Sequence, residues 1–445
     1  MFTYPLGSLT QMMAMSNYHA EKPEDKASMN LAFTMHLHGE LDFSKLERAI
    51  NRLTSEKIMH TYLSVEENQF LAHEKEFIPF KLETEKIEGA SEEEKVGKVK
   101  AIAEKKALEP LPLFEENKQQ FYFRLYELSE NYHILLMIVH HTFLDFGAVM
   151  IAISHIFAYY NDENYRYEES SEFSEFMKEE LDFMASEDAK AEDAFWANEI
   201  ADVKQPPLTP EPLQENETPL EEKDVMTAFS RKELDAIATR ERTSTFNLLM
   251  LLIHMAIAKV NDCNDTFLQY AISNRSEANY RFTLGCLTRV LFNRINFDDD
   301  MNTSELNKLL RKKVGAGYQN RHVAGKTPFG AASYIAVNED MGDLNVFPVF
   351  NGKPVQLDFV DLPRELNFVA VLILPLNAEM IGVGVLTDML QYGKHAKKLI
   401  DALNLAYQFI VKYPEKPFSD FMRQDITLET LHLLDDDDSV EMIEI

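Results

Sequence analysis

Two adjacent histidines lie where a strand-like segment gives way to a helix-like segment. Residues 132–139 and 147–160 are apolar runs, and between them lie His140, His141 and Asp145. A side chain at the end of a rigid strand points in a fixed direction. An imidazole there titrates close to neutral pH, so it can accept a proton from an incoming nucleophile. The junction therefore predicts acid–base or positioning chemistry on a buried strand–helix scaffold.

The same junction also has a purely structural interpretation. Asp145 is well placed to be the N-cap of the following helix, where its carboxylate accepts backbone N–H groups of the first turn. Paired histidines at a strand end can equally be core residues with satisfied hydrogen bonds. Taken alone, the segment favours neither interpretation.

Further landmarks along the chain favour the functional interpretation. They are YPLGSLTQ at 4–11, EKIMHTY at 56–62, FSEF at 173–176, FW at 195–196, SNR at 273–275, LGCLTRVLFNR at 284–294 and TPF at 327–329. Together with HHTFLD at 140–145, they resemble in order and spacing the motifs of the condensation-domain superfamily of nonribosomal peptide synthetases and related acyltransferases, whose signature is HHxxxDG. By this resemblance His141 is the catalytic histidine and His140 is structural.

The resemblance implies an α/β fold in which two chloramphenicol-acetyltransferase-like lobes form a V with a tunnel between them. At 445 residues the chain is too long for one ordinary core, which agrees with two lobes. Residues 206–222 are rich in proline and glutamate and lack periodicity, as is typical of an exposed linker. We therefore expect an N-terminal lobe at 1–205 that carries HHxxxD, and a C-terminal lobe at 223–445 that ends in an acidic tail.

Hydrophobic periodicity predicts the elements of both lobes. The predicted strands are 31–41, 120–128, 132–139, 266–273, 347–350, 355–359, 368–374 and 380–387. The predicted helices are 43–54, 91–106, 168–200, 231–239, 245–259, 304–321 and 394–413.

The resemblance also assigns roles at the junction. His141 is implied to assist an amine or hydroxyl as it attacks an acyl thioester, without a covalent enzyme intermediate. Asp145 is expected to pair with Arg275, at the match to a family Gly-Arg pair, and so to tie the catalytic loop to the second lobe. An arginine–carboxylate pair is directional enough to fix a loop.

Two positions depart from the family pattern. The glycine expected after the aspartate is Phe146, with Gly147 one position later, and the asparagine expected in the second motif is Arg289. A glycine permits backbone conformations that a phenylalanine resists. Phe146, Thr288 and Arg289 are the candidate contacts to the tunnel or to the substrate carbonyl.

Three functions remain open at this point. The first is a stand-alone condensation enzyme that joins a carrier-bound acyl or aminoacyl thioester to an amine in nonribosomal peptide synthesis. The second is an O-acyltransferase with a hydroxyl acceptor and a carrier-protein or coenzyme A donor. The third is a catalytically degenerate member that binds carrier proteins; the intact His140, His141 and Asp145 argue against it, while Phe146 and Arg289 argue for it.

Net charge limits the partners. A formal charge of −30, from 74 acidic against 44 basic residues, argues against nucleic-acid binding. Carrier proteins and coenzyme A are anionic too, so docking requires a local basic cluster. Lys308, Arg311 and Lys312 fall at i, i+3 and i+4 of a predicted helix and so share one face. The cluster continues through Lys313, Arg321, His322 and Lys326, although a solvated helix face without function explains it equally well.

The remaining composition points to a simple cytoplasmic protein. Cys263 and Cys286 lack a CxxC spacing, which argues against a disulfide framework or a zinc site. Neither a GxSxG elbow nor a phosphate-binding glycine loop is present, so we expect no bound metal or cofactor, with substrates presented on phosphopantetheine or coenzyme A. No apolar run reaches the roughly 18 to 20 residues of a membrane span. A cytoplasmic monomer without membrane contact is expected.

Overall fold

Helices and strands of the computed structural model are numbered in chain order. The structure describes residues 2–67, 69–168, 170–214, 217–218, 220–275, 278–322, 332–338, 348–360, 368–376 and 379–425. The strands are β1 (Thr3–Pro5), β2 (Asn30–His38), β3 (Thr61–Glu66), β4 (Gln69–Glu74), β5 (Glu83–Lys86), β6 (Phe121–Ser129), β7 (Tyr132–His140), β8 (Met226–Ser230), β9 (Asp265–Ile272), β10 (Arg289–Asn296), β11 (Tyr334–Asn338), β12 (Val349–Phe350), β13 (Lys353–Pro354), β14 (Gln356–Phe359), β15 (Val369–Pro375) and β16 (Met380–Leu386). The helices are α1 (Ser8–His19), α2 (Pro23–Lys26), α3 (Phe43–Thr54), α4 (Glu92–Ala107), α5 (Phe146–Asn161), α6 (Phe173–Met184), α7 (Glu187–Glu199), α8 (Arg231–Arg240), α9 (Thr245–Asn261), α10 (Thr303–Gln319), α11 (Met389–Lys412) and α12 (Phe418–Met422).

The first large sheet carries the histidines. Its strand order is β14-β2-β7-β6-β5, and β7 lies in its interior between β2 and β6. Every residue of β7 is buried. Leu135 and Met137 pack in the cluster that contains α3 and α5, while Leu136 and Ile138 pack on the other face with α4. Because both faces are covered, this strand is a continuous apolar run rather than an alternating one.

The second large sheet belongs to the C-terminal half. Its order is β10-β9-β11-β15-β16-β8, and helices α9 and α11 fill the core beside it. Strands β9 and β10 are antiparallel, with Ile272 opposite Arg289. The connection between these two residues leaves and re-enters the sheet at the same end. It carries both second-half motifs to that end, where they meet the β7–α5 junction.

One strand crosses from the second half to the first. Strand β14 pairs antiparallel with β2, so that Phe359 lies opposite Phe33. The imidazole of His36 fastens this contact: its Nε2 lies 2.7 Å from Oδ2 of Asp358, and its Nδ1 lies 2.6 Å from the hydroxyl of Tyr132. The sheet that carries the histidines is therefore completed by residues of the other half.

Most predicted elements agree with the structure to within a few residues, but the long helix at 168–200 is wrong. Two helices, α6 and α7, occupy this region. Ser186 separates them, because its hydroxyl accepts the backbone N–H of Ala189 and caps α7. The closing helix begins at Met389, earlier than predicted, since Asp388 caps it through the N–H groups of Leu390 and Gln391.

Some predictions fall outside the described residues. These are the start of the strand at 347–350, the TPF segment at 327–329, Lys326 and the acidic tail. The lobe boundaries at 1–205, 206–222 and 223–445 stay a prediction.

Candidate active site

The two histidines occupy different environments at the end of β7. His140 is completely buried, and its Nδ1 accepts the backbone N–H of Thr142 at 3.2 Å. Burial, and secondarily the neighbouring His141, lowers the pKa of His140 to about 3, so the ring is neutral. His141 is partly buried, and its backbone N–H donates to the carbonyl of Met29 at 2.8 Å. These contacts support a structural role for His140 and leave His141 as the candidate for chemistry.

The Asp145 carboxylate caps helix α5 and also forms an ion pair with a residue of the C-terminal half. Its Oδ1 accepts the backbone N–H of Ala148 at 2.8 Å and caps α5. Its Oδ2 accepts Nη1 of Arg275 at 2.8 Å. The predicted ion pair is confirmed, and the capping interpretation is correct as well, because each function uses a different oxygen.

The second half surrounds this carboxylate with further donors. Oδ2 of Asp145 also accepts the backbone N–H groups of Leu287 and Thr288, at 2.8 and 3.0 Å, and the hydroxyl of Thr288 at 3.1 Å. Burial would raise the pKa of Asp145, but the Arg275 guanidinium and the hydrogen bonds outweigh it and hold the pKa below its usual value. A buried anion thus fastens the β7–α5 junction to the 283–288 segment.

Arg275 is bound to the same segment. Its Nη2 donates to the carbonyls of Thr283 and Gly285, at 3.2 and 2.9 Å, and its Nη1 donates to the carbonyl of Ser273 at 3.3 Å. The Arg275 and Asp145 side chains are 2% and 1% exposed. At such burial the loss of one partner would leave the other charge without compensation.

The displaced glycine has a steric explanation. Phe146 is the first residue of α5, and its ring packs 6.0 Å from that of Phe33, so position 146 does not use the freedom of a glycine. A Cβ added to Gly147 would lie 3.2 Å from Nη1 of Arg275. That is closer than ordinary van der Waals contact, so the missing side chain at position 147 leaves room for the guanidinium.

Arg289 is neutralised inside the protein. Its Nη2 lies 2.7 Å from Oε2 of Glu180, and the two side chains are 5% and 3% exposed. The guanidinium carbon also lies 4.8 Å from the ring centre of Phe176. These residues, with Asn274 and Tyr280, line a cavity of about 180 Å³ between α6 and the loop that follows β9. A contact of Arg289 with the tunnel stays a prediction.

Sequence reasoning missed Cys286 as a neighbour of the histidine. Its Sγ lies 3.8 Å from Nδ1 of His141, and its side chain is buried. No local signal in the sequence identifies this contact, because it depends on the neighbouring residues Gly285 and Leu287 binding Arg275 and Asp145 in the folded protein. A thiol at this position faces the ring once those contacts form.

The basic cluster is smaller than its sequence suggests. Lys308, Arg311 and Lys312 are exposed on α10. Lys313 forms an ion pair with Glu199 at 2.7 Å, and His322 lies 3.0 Å from Glu192. A docking role for the three exposed residues stays a prediction.

Neither a cluster of metal ligands nor a single membrane-spanning helix occurs in the part of the chain that the structure describes. It contains no group of three or more histidine, cysteine, aspartate or glutamate residues placed to hold a metal ion. Within the same residues, no single helix is long and apolar enough to cross a membrane. Helices α8 and α9 reach that length and composition together, across a bend of 91°.

The part of the chain that contains the site residues matches a known protein family. A family model described as Condensation domain matches residues 7–336. The chain belongs to the condensation-domain family. Among curated proteins it is 22% identical over 314 residues to the hybrid PKS-NRPS synthetase thnA of Trichoderma harzianum, covering 67% of this chain. It is 23% identical over 331 residues to bacitracin synthase 2 of Bacillus licheniformis, covering 72% of this chain. The matched regions span 8% and 12% of those relatives.

Solved structures confirm the predicted α/β fold class. The first condensation domain of the calcium-dependent antibiotic synthetase, in complex with a substrate analogue, matches with a TM-score of 0.76 at 12% identity, covering 96% of this chain and 100% of that one. The X-domain from teicoplanin biosynthesis matches with a TM-score of 0.74 at 16% identity, covering 95% and 97%. At these identities the likeness establishes the condensation-domain fold.

Proposed function

We propose that this condensation domain joins an acyl or aminoacyl thioester to an amine and releases an amide. The thioester is presented on the phosphopantetheine arm of a carrier protein. His141 takes part by accepting a proton during attack or by holding the reacting groups in line, roles that contribute about 10²- to 10⁴-fold each. The proposal applies to the domain, whether it acts alone or within a longer chain.

The observation that carries this proposal is the set of hydrogen bonds and the ion pair around the Asp145 carboxylate, called here the Asp145 clamp. Five donors converge on one buried carboxylate, and four of them come from the C-terminal half. A chain that had lost catalysis and kept carrier binding would not need this arrangement at the histidine loop. Arg289, which replaces the asparagine of the family pattern, is accounted for by its ion pair with Glu180.

The test is a product assay with the full chain. Acyl-loaded carrier proteins and acyl-coenzyme A are incubated with a panel of amines and alcohols, and products are identified by mass. His141→Ala should lower amide formation by about 10²-fold or more at unchanged thermal stability. The matched variant His140→Ala should act mainly through stability, since that ring is buried and neutral.

Each result of that assay has a clear meaning. Esters formed from the alcohols, without amides, would replace the amide proposal with O-acyl transfer. Full activity of His141→Ala would refute a role for this histidine. Carrier binding without any product would favour the degenerate alternative.

We further propose that Lys308, Arg311 and Lys312 contact the carrier protein or its phosphopantetheine phosphate. Their exposure on one helix provides positive charge on a chain of net charge −30. Lys308→Glu with Lys312→Glu should weaken carrier binding and flatten its salt dependence, because fewer opposite charges would then attract. Turnover of a small thioester without pantetheine should not change.

The control for docking is a double reversal with the same change in net charge. Lys100→Glu on α4 and Lys232→Glu on α8 replace exposed lysines of other helices. This control should leave carrier affinity close to that of the natural protein. Equal effects of both double variants would show that net charge alone acts, and α10 would then be a solvated helix.

A cytoplasmic location and a monomeric state complete the proposal. Both described cysteines are free thiols, which suits a reducing compartment. Cell fractionation tests the location, and light scattering of the purified chain tests the assembly.

A further inference from the structure

The side chain of Cys286 lies beside the candidate catalytic ring. Its Sγ is 3.8 Å from Nδ1 of His141, within the longer range of hydrogen bonds that involve sulfur. Cys286 is 1% exposed. The sulfur is therefore placed to act on the ring and shielded from larger molecules in solvent.

The clamp around Asp145 fixes this thiol on both sides. The carbonyl of Gly285 accepts from Arg275, and the backbone N–H groups of Leu287 and Thr288 donate to Asp145. Gly285 and Leu287 flank Cys286 directly. The same ion pair that fastens the histidine loop therefore also holds the sulfur against the ring.

The thiol keeps its proton at neutral pH. Burial, and after it the Asp145 carboxylate, raises the pKa of Cys286 above its usual value. A protonated thiol offers one S–H donor, while a neutral imidazole has one nitrogen that accepts. The stronger acceptor of the two groups is the imidazole nitrogen, so the favoured hydrogen bond runs from sulfur to Nδ1.

We propose that Cys286 is a positioning residue that selects the tautomer of His141. The thiol donates to Nδ1, so the neutral form of the ring carries its proton on Nε2. In this tautomer His141 donates a hydrogen bond toward the substrate, so of the two roles proposed above it holds the reacting groups in line and does not accept the amine proton. The catalytic consequence rests on the proposed amide-forming function, whereas the tautomer itself does not.

The reaction balances with His141 as a donor. The amine nitrogen attacks the thioester carbon, a C–N bond forms, and negative charge develops on the carbonyl oxygen. The N–H at Nε2 stabilises that oxygen. When the C–S bond breaks, the pantetheine thiolate leaves and takes the proton that the amine nitrogen gives up. No electron donor or acceptor is required.

The decisive measurement is the tautomer in the full chain. Histidine labelled with ¹⁵N is incorporated, and the resonances of His141 are assigned by their loss in His141→Gln. Long-range ¹⁵N–¹H spectra should show a protonated Nε2 and an unprotonated Nδ1 in the natural protein. Cys286→Ala should lose this preference, and Cys286→Ser, which keeps a donor, should retain it.

Kinetics provide the second measurement. Cys286→Ala should lower kcat by about two- to tenfold with little change in KM, the range expected for one modest hydrogen bond. Cys286→Ser should stay within about twofold of the natural protein. If Cys286→Ala is too unstable to study, the tautomer of His141 in the natural protein still tests the inference.

Three results would overturn the inference. They are a protonated Nδ1 in the natural protein, an unchanged tautomer in Cys286→Ala, and an acyl group found on Cys286 by intact mass after quenching turnover. The last result would make the cysteine a nucleophile. The proposed function fails separately, through full activity of His141→Ala, so the two failures are distinguishable.

Discussion

Replacing Arg275 with methionine tests the central claim that a buried ion pair joins the two halves. The methionine fills part of the space but removes every donor of the guanidinium. Asp145, 1% exposed, would keep four hydrogen bonds and lose its counter-charge. Breaking a buried pair from one side costs about 3 to 5 kcal/mol. Three backbone carbonyls that Arg275 now satisfies would lose a partner as well, which places the expected loss toward the upper end.

The matched control is Arg48→Met. Arg48 lies 2.7 Å from Glu163, so the ion pair is as short, but its side chains are 58% and 60% exposed. Solvent screening limits such a pair to about 0 to 1 kcal/mol. The difference between the two variants therefore isolates burial from the presence of an arginine–carboxylate contact.

The assay is denaturant unfolding followed by far-ultraviolet circular dichroism and by the fluorescence of Trp196, the single tryptophan. Coincident transitions permit linear extrapolation of the free energy of unfolding. At pH 7 we expect Arg275→Met to lose about 3 to 5 kcal/mol. A loss within 1 kcal/mol of that of Arg48→Met would refute the reasoning.

The pH dependence of this loss follows from the sign of the pKa shift. In the natural protein the pKa of Asp145 is depressed, so its contribution is present above the unfolded value of about 3.9 and is lost only as pH falls through the folded value. Without the guanidinium, burial raises the pKa instead. The variant can then relieve its penalty by protonation, and the stability difference should shrink between pH 7 and pH 4.5.

Three further predictions concern other parts of the structure. Gly147→Ala should displace the Arg275 guanidinium and lower both stability and kcat. The control is Gly315→Ala, where an added Cβ meets nothing within 4 Å. This control should stabilise α10 by about 0.5 to 1 kcal/mol in thermal unfolding. Arg289→Asn should destabilise by about 3 to 5 kcal/mol because Glu180 stays buried without its partner, and adding Glu180→Gln should recover part of that loss in the same denaturation assay. Burial lowers the pKa of His254 to about 3, so the free energy of unfolding should fall as pH drops from about 6.5 toward 3, and His254→Gln should flatten that slope in a denaturation series.

Local sequence patterns were sufficient to predict the strand and the helix that position the site. Strand β7 and helix α5 are each buried along most of their length, so their continuous apolar runs identified both. The pairing of Asp145 with Arg275 was also predictable, because the two oppositely charged residues lie in segments that resemble family motifs. A polar cap at Ser186 interrupted the long predicted helix, and one residue of this kind changes the periodic pattern very little.

Other contacts depend on tertiary packing and were not predictable. Glu180 lies 109 positions before Arg289, and nothing in either segment identifies them as partners. Cys286 gains its place beside His141 only after the clamp has folded around Asp145. The segment of β14 was predicted as a strand, but its pairing with β2 is decided by the crossing of the two halves.

The strand that crosses between the halves also determines when the sheet that carries His141 can be completed. Strand β2 is synthesised before β14, its neighbour on one side, which follows more than 300 residues later. Until then residues 33–36 of β2, which later pair with β14, present unpaired backbone N–H and C=O groups, which are a template for pairing with another chain. Nascent chains are therefore most exposed to misassembly while the C-terminal half is still being translated, and slow translation of that half would prolong the exposure.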